Sequence, residues 1–281
     1  MEELLSNPAI QGGIAPFIVA LAIAGVFLKA RNLAALAIAG GFITTVILTT
    51  GIQFDPMTST RKIVLIAMVI PIVALILDLF HAEESKKVTP IFYGIGVLSL
   101  LWVLWPVIDR TPLTEMILPL LGYTVYVVWM IGVFIKLVEM PRISAAAAAT
   151  GTGFGIGITA LIGASALLGQ FGLAFGTAAG AYLLTQVFSR NDEPAGFTFS
   201  LSSAFLAALL LPAAVVYAKV PWIVLPLIAI APLMAFYPFE EDRHIIQNLI
   251  GLFVVMAIPI GIAIYFTIQA AGPALVDSGG Y

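Results

Sequence analysis

The sequence predicts an all-α polytopic membrane protein with about ten transmembrane helices, arranged as two inverted five-helix repeats. Of its 281 residues, 61% are hydrophobic and only 10% are charged, and the mean hydropathy is +1.11. Charged residues cluster between apolar runs of roughly 20 residues, the length that crosses a hydrocarbon core of about 30 Å. Similar segments also recur in the two halves of the chain. These three observations together predict the fold class.

Apolar windows of spanning length occur ten times, separated by short polar connections. None of these connections is long enough to fold into a separate soluble domain, so function is expected inside the helix bundle or on its rims. The acidic N-terminus lacks the basic region of a signal peptide, and the first window is therefore expected to be retained. The windows cover residues 9–28, 33–52, 63–80, 91–108, 115–137, 143–168, 171–188, 197–218, 220–239 and 245–271.

The distribution of Lys and Arg predicts that both termini are periplasmic or extracellular. Cytoplasmic loops carry an excess of these residues in membrane proteins. With the N-terminus outside, eight of the 12 basic residues fall on the cytoplasmic side. These eight are Lys29, Arg31, Lys86, Lys87, Lys136, Arg142, Arg190 and Arg243, and the other four are Arg61, Lys62, Arg110 and Lys219. The predicted location is a bacterial-type inner membrane.

Two pairs of similar segments indicate an internal duplication. KVTPIFYGIGVLSLLWVLWP at 87–106 aligns with KVPWIVLPLIAIAPLMAFYP at 219–238. At an offset of 140 residues, Gly13 also pairs with Gly153 and Gly40 with Gly180. We therefore predict a first five-helix repeat at 1–142 and a second at 143–281. An odd number of spans inserts the second repeat upside down relative to the first, as in many secondary transporters.

The repeat places two acid-base pairs at opposite ends of the bundle. Asp109 and Arg110 align with Asp242 and Arg243 when one inserted residue is allowed. These four residues are candidate rim anchors or gates. The five-plus-five arrangement resembles the architecture of the drug/metabolite transporter superfamily, and no residue roles are transferred from that resemblance.

The glycine-rich stretch GTGFGIG at 151–157 is interpreted as a helix-packing surface. A phosphate-binding glycine loop follows a strand and opens a helix in an aqueous βαβ unit, whereas this stretch lies in a charge-free run from Ile143 to Ser189. Glycines at helical spacing let two backbones approach closely. The packing candidates are Gly151, Gly153, Gly155, Gly157, Gly172, Gly176 and Gly180.

Candidate residues for a solute pathway are neutral polar side chains at depth and prolines inside spans. An interior proline frees a backbone carbonyl, which must find another partner in the membrane. Two prolines, Pro226 and Pro232, predict a discontinuous or mobile element in the ninth span. Interhelical hydrogen bonding is the alternative role for each polar residue. The pathway candidates are Thr45, Tyr123, Tyr126, Trp129, Thr185, Gln186, Ser202, Pro226, Pro232, Gln247 and Asn248.

Several chemistries are not expected. The chain has no cysteine and only two histidines, His81 and His244, both in charged loops. Together with Asp78, Glu83, Glu84 and residues 240–242 they are interpreted as a solvated rim rather than a metal site. We expect no catalytic residue, no metal, no cofactor, no nucleotide and no nucleic acid partner.

The predicted function is transport of a small solute by alternating access between the two repeats. The alternative is a non-catalytic integral membrane subunit or scaffold of a larger membrane complex, which the scarcity of buried charge favours. The expected partners are membrane lipid, other membrane subunits or a second copy of the chain.

Overall fold

The protein is an all-helical bundle in its computed structural model, which describes residues 7–80, 85–189, 193–237 and 245–272. No strand occurs within these ranges, and one isolated antiparallel bridge joins Pro141 to Pro194. The helices are α1 (Ile10–Val26), α2 (Asn32–Thr49), α3 (Ser59–Leu79), α4 (Ser85–Ile108), α5 (Leu113–Lys136), α6 (Arg142–Ile162), α7 (Ala166–Ser189), α8 (Gly196–Tyr217), α9 (Val224–Phe236) and α10 (Ile245–Ala271).

Eight of the described helices are long and apolar enough to cross a membrane, and α1 and α9 are shorter. The chain is therefore a multi-pass membrane protein, as the composition predicted, while the count of ten spans stays a prediction. At 1.5 Å per α-helical residue and 2.0 Å per 3₁₀ residue, α9 is roughly 22 Å long. A window over 220–239 overstated its length, because the residues around Pro221 form a turn instead of helix.

Both short helices change their hydrogen-bonding pattern along their length. Helix α1 begins with a π-helical turn over Ile10–Ile14 and continues as an α-helix from Ala15. Helix α9 is α-helical over Val224–Ile230 and 3₁₀ over Ala231–Phe236. Pro16 and Pro232 lie at the two changes. We call the second change the break in α9, although the helix is continuous from Val224 to Phe236. The discontinuous or mobile element predicted from Pro226 and Pro232 stays a prediction.

Helix α8 forms the centre of the bundle. It packs mainly on α3, α5 and α6, and its residues are buried continuously from Gly196 to Ala214. Ser and Ala residues are interspersed with Leu and Phe along it, and these small side chains allow neighbouring helices to approach closely. The interior at this position is filled by protein.

The closest helix contact joins α6 to α7. A Cβ atom added at Gly153 would lie 2.5 Å from the Cα of Gly176, and one added at Gly157 would lie 2.5 Å from the backbone nitrogen of Leu173. Glycine is therefore required at the crossing. Gly172 and Gly176 meet the same crossing from the α7 side.

The other glycines of GTGFGIG face a different neighbour. Positions Gly151 and Gly155 abut the side-chain ends of Met256 in α10 and Ile228 in α9. Gly180 makes an ordinary contact with Thr150 at 3.5 Å. The stretch thus serves two opposite faces of α6, because residues two apart on a helix point about 200° away from each other.

One end of the bundle, which we call the Arg142 end, carries Asp78, Lys136 and Arg142. Here the carboxylate of Asp78 accepts hydrogen bonds from the backbone N–H groups of Phe197 and Thr198, both at 2.8 Å, and from the Thr198 hydroxyl at 2.6 Å. Gly196, with φ of +80°, allows the chain to turn into α8 beside this carboxylate. An acid from α3 therefore caps the central helix.

A buried arginine ties the start of α6 to the segment before α8. Arg142 is 1% exposed. Its guanidinium forms an ion pair with Glu193 and donates from Nε to the carbonyl of Pro194 at 3.1 Å. Backbone bonds from Arg142 to Glu193 and from Ala195 to Met140 complete the clamp. The opposite end of the bundle, carrying Lys62, Asp109 and Lys219, is called the Lys62 end.

The predicted repeat units pack unequally. Helices α2 and α7 contact each other, as do α3 and α8, and α4 packs on α5 as α9 does on α10. However, α6 packs on α7, α8, α9 and α10, whereas its predicted equivalent α1 packs mainly on α2 and α7. The inverted repeat and the division at residue 142 stay predictions.

Replacing Gly153 with alanine should destabilise the bundle. The added methyl group meets backbone, which cannot rotate away, and overpacking of this kind costs typically 1–3 kcal/mol. A lower thermal unfolding midpoint of the detergent-purified protein is the measurement. The control is Gly251→Ala in α10, where nothing lies within 4 Å; equal midpoints for the two variants would contradict the contact.

Replacing Asp78 with alanine should also lower stability, by about 0.5–2 kcal/mol, because the first N–H groups of α8 lose their acceptor. Hydrogen exchange at Phe197 and Thr198 should rise. Exposed Asp55, outside the helices, offers the control Asp55→Ala, and unchanged exchange in D78A would exclude the cap.

Candidate functional site

A lipid-facing groove lies between α5 and α9. It consists of two adjoining depressions of about 490 Å³ and 580 Å³, which share Val125 and Trp129. These volumes lie in the range of small-molecule sites. The first depression is lined by Leu118, Leu121, Gly122, Val125, Tyr126, Trp129, Trp222, Leu225, Pro226, Ala229 and Ile230, and the second by Tyr93, Thr124, Val125, Val128, Trp129, Gly132, Val133, Lys136, Leu233 and Phe236.

One face of α5 supplies the floor of the groove. Its lining residues recur every three or four positions from Leu118 to Lys136, the period of a helix face. Two glycines deepen it. A Cβ atom at Gly122 would lie 3.1 Å from the Trp222 ring, and one at Gly132 would lie 2.7 Å from the Tyr93 hydroxyl. The Trp222 and Tyr93 rings therefore occupy the space that a side chain at Gly122 or Gly132 would fill.

Trp129 bonds to a backbone carbonyl of α9 close to the change from α to 3₁₀ bonding. The indole Nε1–H of Trp129 donates to the carbonyl oxygen of Ala229 at 3.1 Å. In a 3₁₀ register that carbonyl would bond to the residue three positions later, which is Pro232 and has no N–H. The side chain from α5 therefore replaces the backbone donor that α9 lacks.

The same substitution of a side chain for a missing backbone donor occurs at the start of α1. The Thr45 hydroxyl donates to the carbonyl of Gln11 at 2.6 Å, and in the π register of this turn the backbone partner would be Pro16. Because the Thr45 hydroxyl of α2 is bonded to α1, the contact favours the packing role for Thr45.

A third case involves a buried cation at the Lys62 end. Lys62 is 6% exposed, and its ammonium donates to the Trp102 carbonyl at 2.7 Å. Pro106, four residues later, leaves that carbonyl without a helical donor. The ammonium also lies 5.5 Å from the centroid of the Trp102 ring, within cation–π range.

Sequence reasoning did not single out Lys62 or Arg142. Both were counted as loop charges, since the apolar windows began one residue after each of them. Helix α3 begins at Ser59, and the side chain of Thr58 accepts a hydrogen bond from the backbone of Arg61. That N-cap threonine was the available sign that Lys62 lies within the helix.

Four polar pathway candidates are hydrogen-bonded within the bundle. Buried Tyr126 donates to the carbonyl of Ala207 in α8 at 3.2 Å. Thr185 and Ser202 donate to carbonyls of their own helices, at 2.6 Å and 2.6 Å. The amide of Gln186 donates to the Thr185 hydroxyl at 3.3 Å. These bonds favour the packing role over solute contact for Thr185 and Ser202.

The remaining candidates are dispersed. Tyr123 is buried in α5, whereas Gln247 and Asn248 lie in the first turn of α10, with Gln247 exposed. The groove therefore brings together Tyr126, Trp129 and Pro226, with Pro232 at the adjoining break, and leaves the others elsewhere.

The rim pairs are described only in part. Asp109 and Arg110 are exposed in the turn after α4. Asp242 and Arg243 lie outside the described residues, as do His81, Glu83, Glu84 and His244. The gate role therefore stays a prediction.

The fold and the lipid-facing groove define a multi-pass α-helical membrane protein. No protein-family model matches the chain, and no curated protein matches it. Its function is therefore inferred from its own geometry.

Replacing Trp129 with phenylalanine should destabilise the protein by about 1–3 kcal/mol, because the Ala229 carbonyl loses its donor while the ring volume is largely kept. The measurement is the thermal unfolding midpoint in detergent. Trp222→Phe is a matched control, since Trp222 lines the same groove and is 56% exposed. A W129F midpoint equal to that of W222F would show that the bond is dispensable.

Proposed function

We propose that the protein is a secondary carrier that moves a small, largely apolar solute across the membrane along the groove between α5 and α9. The observation that carries this proposal is the change from α to 3₁₀ bonding in α9, in the wall of a lipid-facing groove. Discontinuous helices commonly form the sites of secondary transporters, and irregular backbone at membrane depth is tolerated where it lines a cavity.

The position of the groove supports the proposal. Helix α5 is the last helix of the predicted first repeat, and α9 belongs to the second. A route between these helices is thus a route between the two halves, as alternating access requires. The contacts of α2 with α7 and of α3 with α8 are the pairings expected beside a pseudo-twofold axis.

The lining chemistry supports the choice of solute. Carboxylates do not occur among the described residues that line the groove, and most of those residues are aliphatic or aromatic. Such a surface favours an apolar body through burial. The proposed location is a bacterial-type inner membrane, with the Arg142 end in the cytoplasm and both termini outside.

A second candidate is a non-catalytic subunit or scaffold of a membrane complex. The continuous burial of α8 favours it, because a filled centre leaves no space there for a solute in this conformation. In that case the groove would seat a helix of a partner instead of a solute. Neither function makes the protein an enzyme.

Spin-label distances can test the carrier without knowledge of its solute. The chain contains no cysteine, so labels attach only where cysteine is introduced. Leu121→Cys in α5 and Ile230→Cys in α9 place labels on the two walls of the groove. In liposomes, a carrier should give two distance populations for this pair, because its halves exchange between two arrangements.

The control pair is Val26→Cys with Ile47→Cys. Both residues are exposed, and they lie on α1 and α2, which pack together within the predicted first repeat. This pair should give one distance. A single narrow distance for the groove pair as well, together with stable co-purification of another membrane protein, would favour the subunit.

A further inference from the structure

The groove differs from an ordinary lipid-facing crevice in the residue at one of its ends. Lys136 closes the last turn of α5 at the Arg142 end and lines the second depression. It is the one charged side chain among the described residues that line either depression. Between Lys136 and Leu118, most of the residues that line the groove are aliphatic or aromatic.

We propose that this groove binds a single-chain anionic amphiphile, with its apolar chain along α5 and its carboxylate at Lys136. This inference rests on the proposed function, since it names the class of solute that the carrier would take.

Charge and position argue for this occupant. The Lys136 side chain is exposed, so its aliphatic stem can follow the groove while its ammonium stays at the membrane surface. An anionic head is attracted there, and it avoids the cost of entering hydrocarbon. Lys136 makes no ion pair with another described residue.

Thr124, the Tyr93 hydroxyl and Lys136 all lie in the depression that Lys136 closes. Thr124 lies about three turns before Lys136 on α5, and Tyr93 places its hydroxyl against Gly132, one turn before Lys136. The other depression is lined by apolar and aromatic residues from Leu118 to Ile230. The groove is therefore amphipathic along its length, as is the proposed ligand.

Palmitate and methyl palmitate test the inference, because they share a chain and differ in charge. Binding of each to the purified full-length protein is measured by native mass spectrometry. Lys136→Gln should weaken palmitate binding about fivefold, the size expected for losing one exposed ion pair, and should leave methyl palmitate unchanged. Lys29→Gln is the matched control, since Lys29 is exposed beyond α1, which packs on α2 and α7.

A second variant tests the chain site without altering charge. Val125→Trp fills the point that the two depressions share and should reduce binding of both compounds at least tenfold, while Val69→Trp, on a lipid-facing position of α3, should not. Equal palmitate binding by wild type and K136Q, or by wild type and V125W, would overturn the inference. Displacement of palmitate by an equal concentration of phosphatidylglycerol would also overturn it, in favour of a structural lipid.

The spin-label and palmitate experiments distinguish failure of the carrier proposal from failure of the proposed ligand site. Palmitate binding that depends on Lys136, with one spin-label distance across the groove, would refute the carrier and keep the site. Two distances without palmitate binding would refute the site and keep the carrier.

Discussion

The need of freed backbone carbonyls for a donor in the absence of water sets three of the helix contacts on which this bundle depends. Proline has no backbone N–H, so a carbonyl that would bond to a proline in an α-, π- or 3₁₀-helical pattern is left without a donor. Three such carbonyls receive a donor from a neighbouring helix. Lys62, Thr45 and Trp129 supply these donors to Trp102, Gln11 and Ala229. Because an unsatisfied carbonyl in hydrocarbon costs several kcal/mol, each bond fixes the relative position of two helices.

These bonds also explain why α9 can be irregular without disordering its surroundings. The 3₁₀ segment needs an external donor at Ala229, and the rigid indole of Trp129 provides it from the floor of the groove. Departure of α9 from α5 would expose that carbonyl unless another donor replaced the indole. The groove and the break therefore belong to one structural unit rather than to two coincident features.

Composition and hydropathy predicted the class of fold and the approximate place of each helix, because burial in hydrocarbon selects apolar runs directly. Helix ends were less predictable. Lys62 and Arg142 lie in the first turn of their helices although they are charged, and their carbonyl or carboxylate partners come from distant segments. The groove was only partly predictable. Trp129, Tyr126 and Pro226 were named from their chemistry, whereas Gly122 and Gly132 matter through the rings of Trp222 and Tyr93, which sequence spacing does not reveal. The repeat in sequence did not specify the unequal packing of α1 and α6.

Helix α6 has two glycine-containing faces, and the contacts on one face can shift more easily than those on the other. Against α7, Gly153 and Gly157 bring backbone onto backbone, and a shift of either helix along the other would drive main-chain atoms together. On the other face, Gly151 receives the tip of Met256 from α10 and Gly155 the tip of Ile228 from α9, and these tips can change rotamer while contact is kept. Helices α6 and α7 are thus expected to move as one rigid pair, whereas their contacts with α9 and α10 can adjust through side-chain rotamers. A rearrangement of the bundle would then leave Gly153 and Gly157 at rest, on the inside of the pair that stays together.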